Sequence, residues 1–129
     1  MAEALRVLYV DDEEDIRSIV EMSLELSGEF VVRTCDGGEA ALEEAAQWRP
    51  DLILLDFMMP GLDGPQTLLK LREQPETAAI PAAFVTARSQ PADIAELMAI
   101  GAIGVIAKPF DPMTFGDDVT ALMESQAAA

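Results

Sequence analysis

Histidine is absent from this 129-residue sequence, and cysteine occurs only once, as Cys35. A lone cysteine cannot form an intramolecular disulfide, so nothing in the sequence points to an oxidising compartment. Without histidine, and with one thiol, the chain also lacks the ligands that zinc and other soft-ligand metals prefer. We therefore expect Cys35 to be a small buried side chain and zinc chemistry to be disfavoured.

Basic residues are also scarce, because eight Lys and Arg stand against 24 Asp and Glu and the formal net charge is −16. Such a surface repels nucleic acids and anionic lipid headgroups, so we expect neither as a direct partner. No apolar run approaches the roughly 20 residues needed to span a bilayer, and the N-terminus lacks the basic and apolar segments of a signal peptide. The sequence predicts a cytoplasmic protein without membrane contact.

What the sequence does contain is an alternation of short apolar runs and amphipathic segments. Apolar runs at residues 6–10, 30–34, 52–55, 82–85 and 104–107 predict five strands. The first and third runs are almost continuously apolar, which is typical of parallel strands that are covered on both faces. Five strand–helix repeats predict an α/β fold with one parallel sheet, in a single domain that covers residues 1–129.

The segments between these runs carry apolar residues at helical spacing. They predict helices over residues 14–27 and 38–47, a third from about Pro65, a fourth after Pro91 and a fifth after Asp111. Residues 126–129 are either a frayed terminus or the start of a linker. The methionines are expected to fill the core rather than to bind a ligand. The apolar faces of the first, third, fourth and fifth helices consist of Ile16, Ile19, Val20, Leu24, Leu68, Leu69, Leu71, Ile94, Leu97, Met98, Phe115, Val119, Leu122 and Met123.

Polar side chains follow four of the predicted strands at the point where each strand ends. Asp11 and Asp12 follow the first strand, and the third, fourth and fifth strands are followed by Asp56, Thr86 and Lys108. Because ligands of an open parallel sheet bind beyond the carboxyl ends of its strands, we expect these side chains to share one pocket. One such acid alone is best explained as a helix cap or turn former, but three acids together favour a site.

The three acids repel one another by about 4 kcal/mol per pair at 4 Å and an effective dielectric constant of 20. Lys108 supplies one compensating charge, and the remaining excess suits a hard divalent cation with oxygen ligands, for which Mg²⁺ is the simplest choice. A carboxylate near such a metal and a lysine is equipped for phosphoryl transfer, and a hydroxyl such as that of Thr86 can donate to a phosphoryl oxygen. Asp51 lies at the other end of the third strand, so it belongs to the opposite edge.

Four ordered segments resemble the receiver domains of two-component response regulators. They are residues 8–13 (LYVDDE), 56–64 (DFMMPGLDG), 85–87 (VTA) and 108–110 (KPF). The resemblance spans nearly the entire chain, and four motifs on the expected strand ends are far more specific than one acidic pair. It implies a flavodoxin-like (βα)5 three-layer sandwich with a five-stranded parallel sheet in the order 2-1-3-4-5.

The resemblance also implies which residues accept the phosphoryl group and bind the metal. Asp56 is the expected phosphoacceptor and is also expected to be a metal ligand. Asp12 is expected to bind Mg²⁺ directly, and Asp11 largely through a bound water. The backbone carbonyl of Met58 is expected to be a further metal ligand.

Lys108 and Thr86 complete the expected site. Lys108 is expected to pair with Asp56 or its phosphoryl group, Thr86 to move toward the phosphoryl oxygens, and the Lys108–Pro109 peptide bond to be cis. Val105 stands three residues before Lys108, where similar domains usually carry Tyr or Phe. Valine has no ring to turn inward, which puts the usual aromatic relay in question. We still predict that the signal leaves through the face formed by helix four, strand five and helix five, through backbone shifts at residues 86–89.

Met58 and Arg88 occupy positions that, in similar domains, tune the lifetime of the aspartyl phosphate by placing the attacking water. Because the Met58 side chain holds water poorly, the sequence predicts slow self-dephosphorylation. For Arg88, an ordinary solvated surface charge is the alternative interpretation.

The sequence therefore predicts a phosphoacceptor signalling domain of a two-component phosphorelay. A histidine kinase or histidine phosphotransfer protein is the expected donor, and we expect no enzyme activity apart from the domain's own phosphorylation and dephosphorylation. Because no effector domain follows the fifth helix, we expect contact with a downstream protein, by a monomer or a phosphorylation-dependent dimer. The alternative is a constitutive pseudo-receiver, an interaction module that phosphorylation does not switch. The acids that favour a basic partner surface are Asp93, Glu96, Asp117, Asp118 and Glu124.

Overall fold

Strands and helices alternate along residues 4–128, which are the residues described by the computed structural model. The strands are β1 (Leu5–Val10), β2 (Phe30–Cys35), β3 (Leu52–Asp56), β4 (Ala82–Thr86) and β5 (Val105–Ala107). The helices are α1 (Glu14–Leu26), α2 (Gly38–Trp48), α3 (Gly64–Glu73), α4 (Pro91–Ala99) and α5 (Phe115–Ala128). The predicted elements are confirmed, with small differences at their ends.

The predicted limits of the domain, residues 1 and 129, lie outside the described residues. The limits of the domain therefore stay a prediction. Helix α5 continues through residues 126–128, which the sequence left open as a frayed end or a linker. No helix among residues 4–128 combines the length and the apolar character needed to cross a membrane.

The five strands form one parallel sheet in the order β2-β1-β3-β4-β5, as predicted. Val7 pairs with Leu52 and Val10 with Leu55 between the two central strands, β1 and β3. The helices cover both faces, which gives the three layers of a flavodoxin-like sandwich. This topology brings the carboxyl ends of all five strands to one edge of the sheet.

Side chains of the central strands alternate between two cores, one on each face of the sheet. Burying each large apolar side chain contributes about 1.5–3 kcal/mol, so both faces bind their helices firmly. The core under α2, α3 and α4 includes Leu8, Val10, Ile53, Leu55, Ala41, Ala45, Leu68, Leu71 and Leu97. The core under α1 and α5 includes Val7, Tyr9, Leu52, Leu54, Val20, Leu24, Phe115 and Val119.

Three side chains that the helical spacing assigns to an apolar face are exposed instead. Ile19, Leu69 and Met98 are 38%, 56% and 45% exposed. Each directly precedes or follows a more deeply buried residue, and adjacent helix positions differ by about 100° in direction, so the exposed member of each pair lies at the edge of the apolar face. The expectation that methionines fill the core is also wrong for Met22, Met58, Met98 and Met113, which are exposed, whereas Met59 is buried.

The start of α3 fixes the loop that follows β3. Asp63 accepts a hydrogen bond from the Gln66 backbone N–H, and the Gln66 side chain accepts one from the Asp63 N–H, so the two residues form a capping box. Gly64 donates from its backbone N–H to the Phe57 carbonyl, at 2.9 Å. A Cβ at Gly64 would lie 2.5 Å from the Asp56 carbonyl oxygen, so only glycine permits this approach. The loop is thereby held close to the end of β3.

Candidate functional site

The side chains predicted to share a pocket lie together at the carboxyl edge of the sheet. Asp56 ends β3 and Thr86 ends β4, while Asp11 and Lys108 directly follow β1 and β5. The β3–β4 pairing sets Asp56 opposite Val85, one residue before Thr86. Sheet register therefore places all four residues within two positions of one another along the strands.

Asp11, Asp12 and Asp56 form what we call the acidic pocket. One carboxylate oxygen from each lies within 4.8 Å of those of the other two. Asp11 and Asp56 are buried, whereas Asp12 is exposed. Oxygen ligands at this spacing suit a hard divalent cation, and the chain offers no histidine there to favour a softer one.

Lys108 bridges two members of the acidic pocket. Its ammonium Nζ lies 3.0 Å from Asp11 Oδ2 and 3.1 Å from Asp56 Oδ1. The Lys108–Pro109 peptide bond is cis, as expected. Three carboxylates and one ammonium leave an excess of two negative charges, which one divalent cation would balance. The residues present therefore fit Mg²⁺.

Burial and neighbouring charge shift the pKa values of the bridged groups. Desolvation, and then the nearby charge of Asp11, raise the pKa of Asp56 above its usual range, although Lys108 partly opposes this. Burial alone would lower the pKa of Lys108, but its hydrogen bonds and charge interactions with Asp11 and Asp56 outweigh burial and raise it. These contacts therefore favour the charged form of Lys108, whereas burial and the Asp11 charge oppose ionisation of Asp56.

Asp11 is held by three further contacts, none of which was predicted from the sequence. The Tyr9 hydroxyl donates to Asp11 Oδ2 at 2.7 Å, and the Glu13 backbone N–H donates to Asp11 Oδ1 at 2.9 Å. Arg17 donates to the Asp11 backbone carbonyl at 2.8 Å. The strand period of two was the available signal, because it directs Tyr9 toward the same side of the sheet as Asp11.

Thr86 is buried and its hydroxyl oxygen accepts a hydrogen bond from the Arg88 backbone N–H at 3.0 Å. The Arg88 guanidinium lies 4.8 Å from the centre of the Phe57 ring and 3.5 Å from Asp93. A cation over an aromatic face is worth about 0.5–1 kcal/mol at an exposed site. Arg88 thus connects the loop after β4 with the loop after β3, which a freely solvated charge would not do.

The remaining predicted residues lie around this pocket or away from it. Met58 is 69% exposed, and slow self-dephosphorylation stays a prediction. Val105 pairs with Phe84 across β4 and β5 and packs, half-buried, against the core below α4. Asp51 accepts a hydrogen bond from the Arg6 N–H at 2.9 Å, and its position at the opposite edge is confirmed.

The fold and the site first define a class, namely flavodoxin-like domains with an acidic, lysine-bridged pocket at the carboxyl edge of the sheet. A solved structure of the chemotaxis protein CheY4 of Vibrio cholerae superposes with a TM-score of 0.84 at 33% identity. The match covers 94% of this chain and 99% of that one. The similarity therefore extends over nearly the whole of both molecules.

Sequence comparison identifies the family within this class. The model of the response regulator receiver domain matches residues 7–120, and the chain belongs to this family of two-component receiver domains. Response regulator Rre1 of Synechocystis sp. is 36% identical over 129 residues, covering 100% of this chain and 56% of that protein. The phosphate regulon transcriptional regulatory protein PhoB of Escherichia coli is 38% identical over 120 residues, 93% of this chain and 52% of that protein. The chain thus spans about half the length of these relatives.

Proposed function

We propose that this receiver domain accepts a phosphoryl group on Asp56, in a site that requires Mg²⁺, and thereby switches a protein partner. The observation that carries the proposal is the position of Lys108, whose ammonium contacts both Asp11 and Asp56. A structural ion pair needs one acid for one lysine, whereas this pocket gathers three acids and leaves charge to be neutralised. We also propose that the domain comprises residues 1–129 and that the protein acts in the cytoplasm.

Asp12, Asp56 and the Met58 backbone carbonyl are the proposed ligands of Mg²⁺. Asp11 already accepts hydrogen bonds on both carboxylate oxygens, so we assign it a role through a metal-bound water. When bound, Mg²⁺ supplies positive charge to the phosphoryl oxygens. The exposed Asp12 side chain leaves the pocket open to solvent on one side.

Phosphorylation then follows from the groups around Asp56. A carboxylate oxygen of Asp56 attacks the phosphorus of a phosphohistidine, so that a P–O bond forms as the P–N bond breaks. The bonding electrons pass to the imidazole nitrogen, which takes up a proton. Lys108 stabilises the transferred group, and the Thr86 hydroxyl gives up its Arg88 contact to donate to a phosphoryl oxygen. Loss of that contact frees the loop after β4.

The surface beside the pocket supports a protein as donor. An apolar groove opens next to Lys108, and the exposed Ile19 of α1 forms part of it. Apolar surface beside a charged pocket suits a folded partner that carries the phosphohistidine, such as a histidine kinase or histidine phosphotransfer protein. The groove is lined by Glu13, Ile16, Ile19, Ala87, Lys108, Pro109, Phe110 and Pro112.

Two relatives, Rre1 and PhoB, are nearly twice as long as this chain, and PhoB is described as a transcriptional regulatory protein. For this chain we propose a protein target, reached by a monomer or by a dimer that forms on phosphorylation. The formal charge of −16 does not favour direct contact with nucleic acid.

Incubation with a small phosphodonor and Mg²⁺, followed by intact-mass measurement, tests the proposal. The wild type should gain one phosphoryl group, Asp56→Asn none, and the wild type in excess chelator none. Asp51→Asn removes an acid at the opposite edge of β3 and should be labelled like the wild type. A constitutive pseudo-receiver would show no added mass in any sample, and that result would overturn the proposal.

A further inference from the structure

Tyr9 is the only tyrosine in the chain, and its hydroxyl contacts Asp11 of the acidic pocket from within the core. The Tyr9 side chain is fully buried in the core under α1 and α5, and Asp11, at the carboxyl end of β1, is fully buried as well. Their oxygens lie 2.7 Å apart, which is a good distance for a hydroxyl donating to a carboxylate. A buried phenol needs a partner, and here the partner is a member of the site rather than a backbone carbonyl.

The contact determines which orientation the Asp11 carboxylate can adopt. Oδ2 accepts from both Tyr9 and the Lys108 ammonium, while Oδ1 accepts from the Glu13 N–H. Rotation of the carboxylate would break at least one of these bonds in a buried environment, where a lost partner is not replaced by water. Asp11 is therefore fixed by the protein before any ion arrives.

The same contact affects where Lys108 lies. The ammonium is 3.0 Å from Asp11 and 3.1 Å from Asp56, so it is shared almost equally. The Tyr9 hydroxyl partly satisfies Asp11 Oδ2. Without this hydroxyl, Oδ2 would depend on Lys108 alone and would draw the ammonium away from Asp56.

We propose that Tyr9 is a positioning residue, whose hydroxyl holds the Asp11 carboxylate in its orientation within the acidic pocket and keeps the Lys108 ammonium shared with Asp56. This inference rests on the Mg²⁺ site proposed above. Hydrogen-bond partners behind metal-binding groups commonly change metal affinity by about 10–100-fold when removed. A hydroxyl that only filled space in the core would have no such effect.

Calorimetric titration of the purified protein with Mg²⁺ tests the role of Tyr9. Tyr9→Phe keeps the ring in the core and should weaken Mg²⁺ binding by roughly tenfold. Thr77→Val is the matched control, because the fully buried Thr77 hydroxyl donates to the Leu71 carbonyl, outside the acidic pocket. The control should bind Mg²⁺ within twofold of the wild type. Equal affinities for Tyr9→Phe and wild type, or equal losses in both variants, would overturn the inference.

A second measurement uses the unmodified chain and does not depend on the folding of a variant. With ¹³C-labelled tyrosine, the Cζ resonance belongs to Tyr9 alone. It should shift on addition of Mg²⁺ with the midpoint found by calorimetry, and a resonance that stays in place while the metal binds would refute the role of Tyr9. If the wild type bound no Mg²⁺, the metal site itself would fail, and this inference with it.

Discussion

At the scale of single residues, charge repulsion and desolvation in the acidic pocket reduce the stability of the metal-free protein. Burial and the Asp11 charge raise the pKa of Asp56, which means that the folded state disfavours the ionised carboxylate. Lys108 offsets only part of this cost, since it is shared between two acids. A group with a raised pKa in the folded state stabilises the protein on protonation, so stability should rise as the pH falls through that pKa.

We therefore predict that Asp56→Asn stabilises the metal-free protein at neutral pH, by on the order of 1 kcal/mol. The amide keeps the shape of the side chain but removes one charge from the repelling group. Denaturant unfolding in excess chelator measures the change. The wild type should approach the stability of the variant as the pH is lowered from neutral, because protonation of Asp56 removes the same charge. A variant less stable than the wild type at neutral pH would contradict this account.

At the scale of elements, the site depends on how closely α3 approaches the end of β3. Gly64→Ala should destabilise the protein by about 1–3 kcal/mol, because the added Cβ would meet the Asp56 carbonyl oxygen and the Phe84 ring. Gly37→Ala is the control for an added Cβ, which would meet nothing within 4 Å there; because Gly37 is the N-cap of α2, some loss is expected, but less than for Gly64→Ala. Thermal unfolding of both variants compares the two positions. Equal stabilities would show that α3 shifts freely.

The second prediction at this scale concerns the surface formed by α4, β5 and α5. Binding of a beryllium fluoride phosphoryl mimic should move the backbone amide resonances of residues 86–89 and of this surface, even though Val105 has no aromatic ring. The reason is that Thr86, whose hydroxyl accepts a hydrogen bond from the Arg88 N–H, is expected to move toward the phosphoryl oxygens and to shift the backbone after β4. Two-dimensional NMR with Asp56→Asn as the control detects the shifts. Resonances that stay in place on the α4–β5–α5 surface would contradict this route for the signal.

Sequence patterns predicted the elements well because apolar runs and helical spacing are local signals. Asp11, Asp56 and Lys108 were placed correctly because parallel strands end at one edge of the sheet. The contact of Tyr9 with Asp11 was not predicted, because the strand period places both side chains on one side of the sheet but does not show that the hydroxyl reaches the carboxylate. The exposure of Ile19 was missed for a similar reason: spacing gives the angle around a helix but not how far the neighbouring elements extend.

At the scale of the whole molecule, we expect the apolar groove beside Lys108 to contribute to phosphorylation by a protein donor but not to phosphorylation by a small phosphodonor. Ile19→Ser should slow phosphotransfer from a cognate phosphohistidine protein about tenfold, because a buried apolar contact of about 1.4 kcal/mol is lost. Phosphorylation by a small phosphodonor should be unchanged. Leu69→Ser is the control, as it removes an exposed leucine from α3, outside the groove. Equal rates of protein phosphotransfer for both variants would contradict docking at the groove.

The formal charge of −16 gives the molecule as a whole a preference for cations and basic surfaces. In the acidic pocket this general preference becomes a defined site, because three carboxylates and Lys108 lie together at one edge of the sheet. The most direct test of the central claim is the position of the phosphoryl group, mapped by peptide mass spectrometry after reaction with a phosphodonor and Mg²⁺. The account predicts modification of Asp56 alone, lost in chelator. A phosphoryl group on another residue, or one that forms equally well without Mg²⁺, would contradict it.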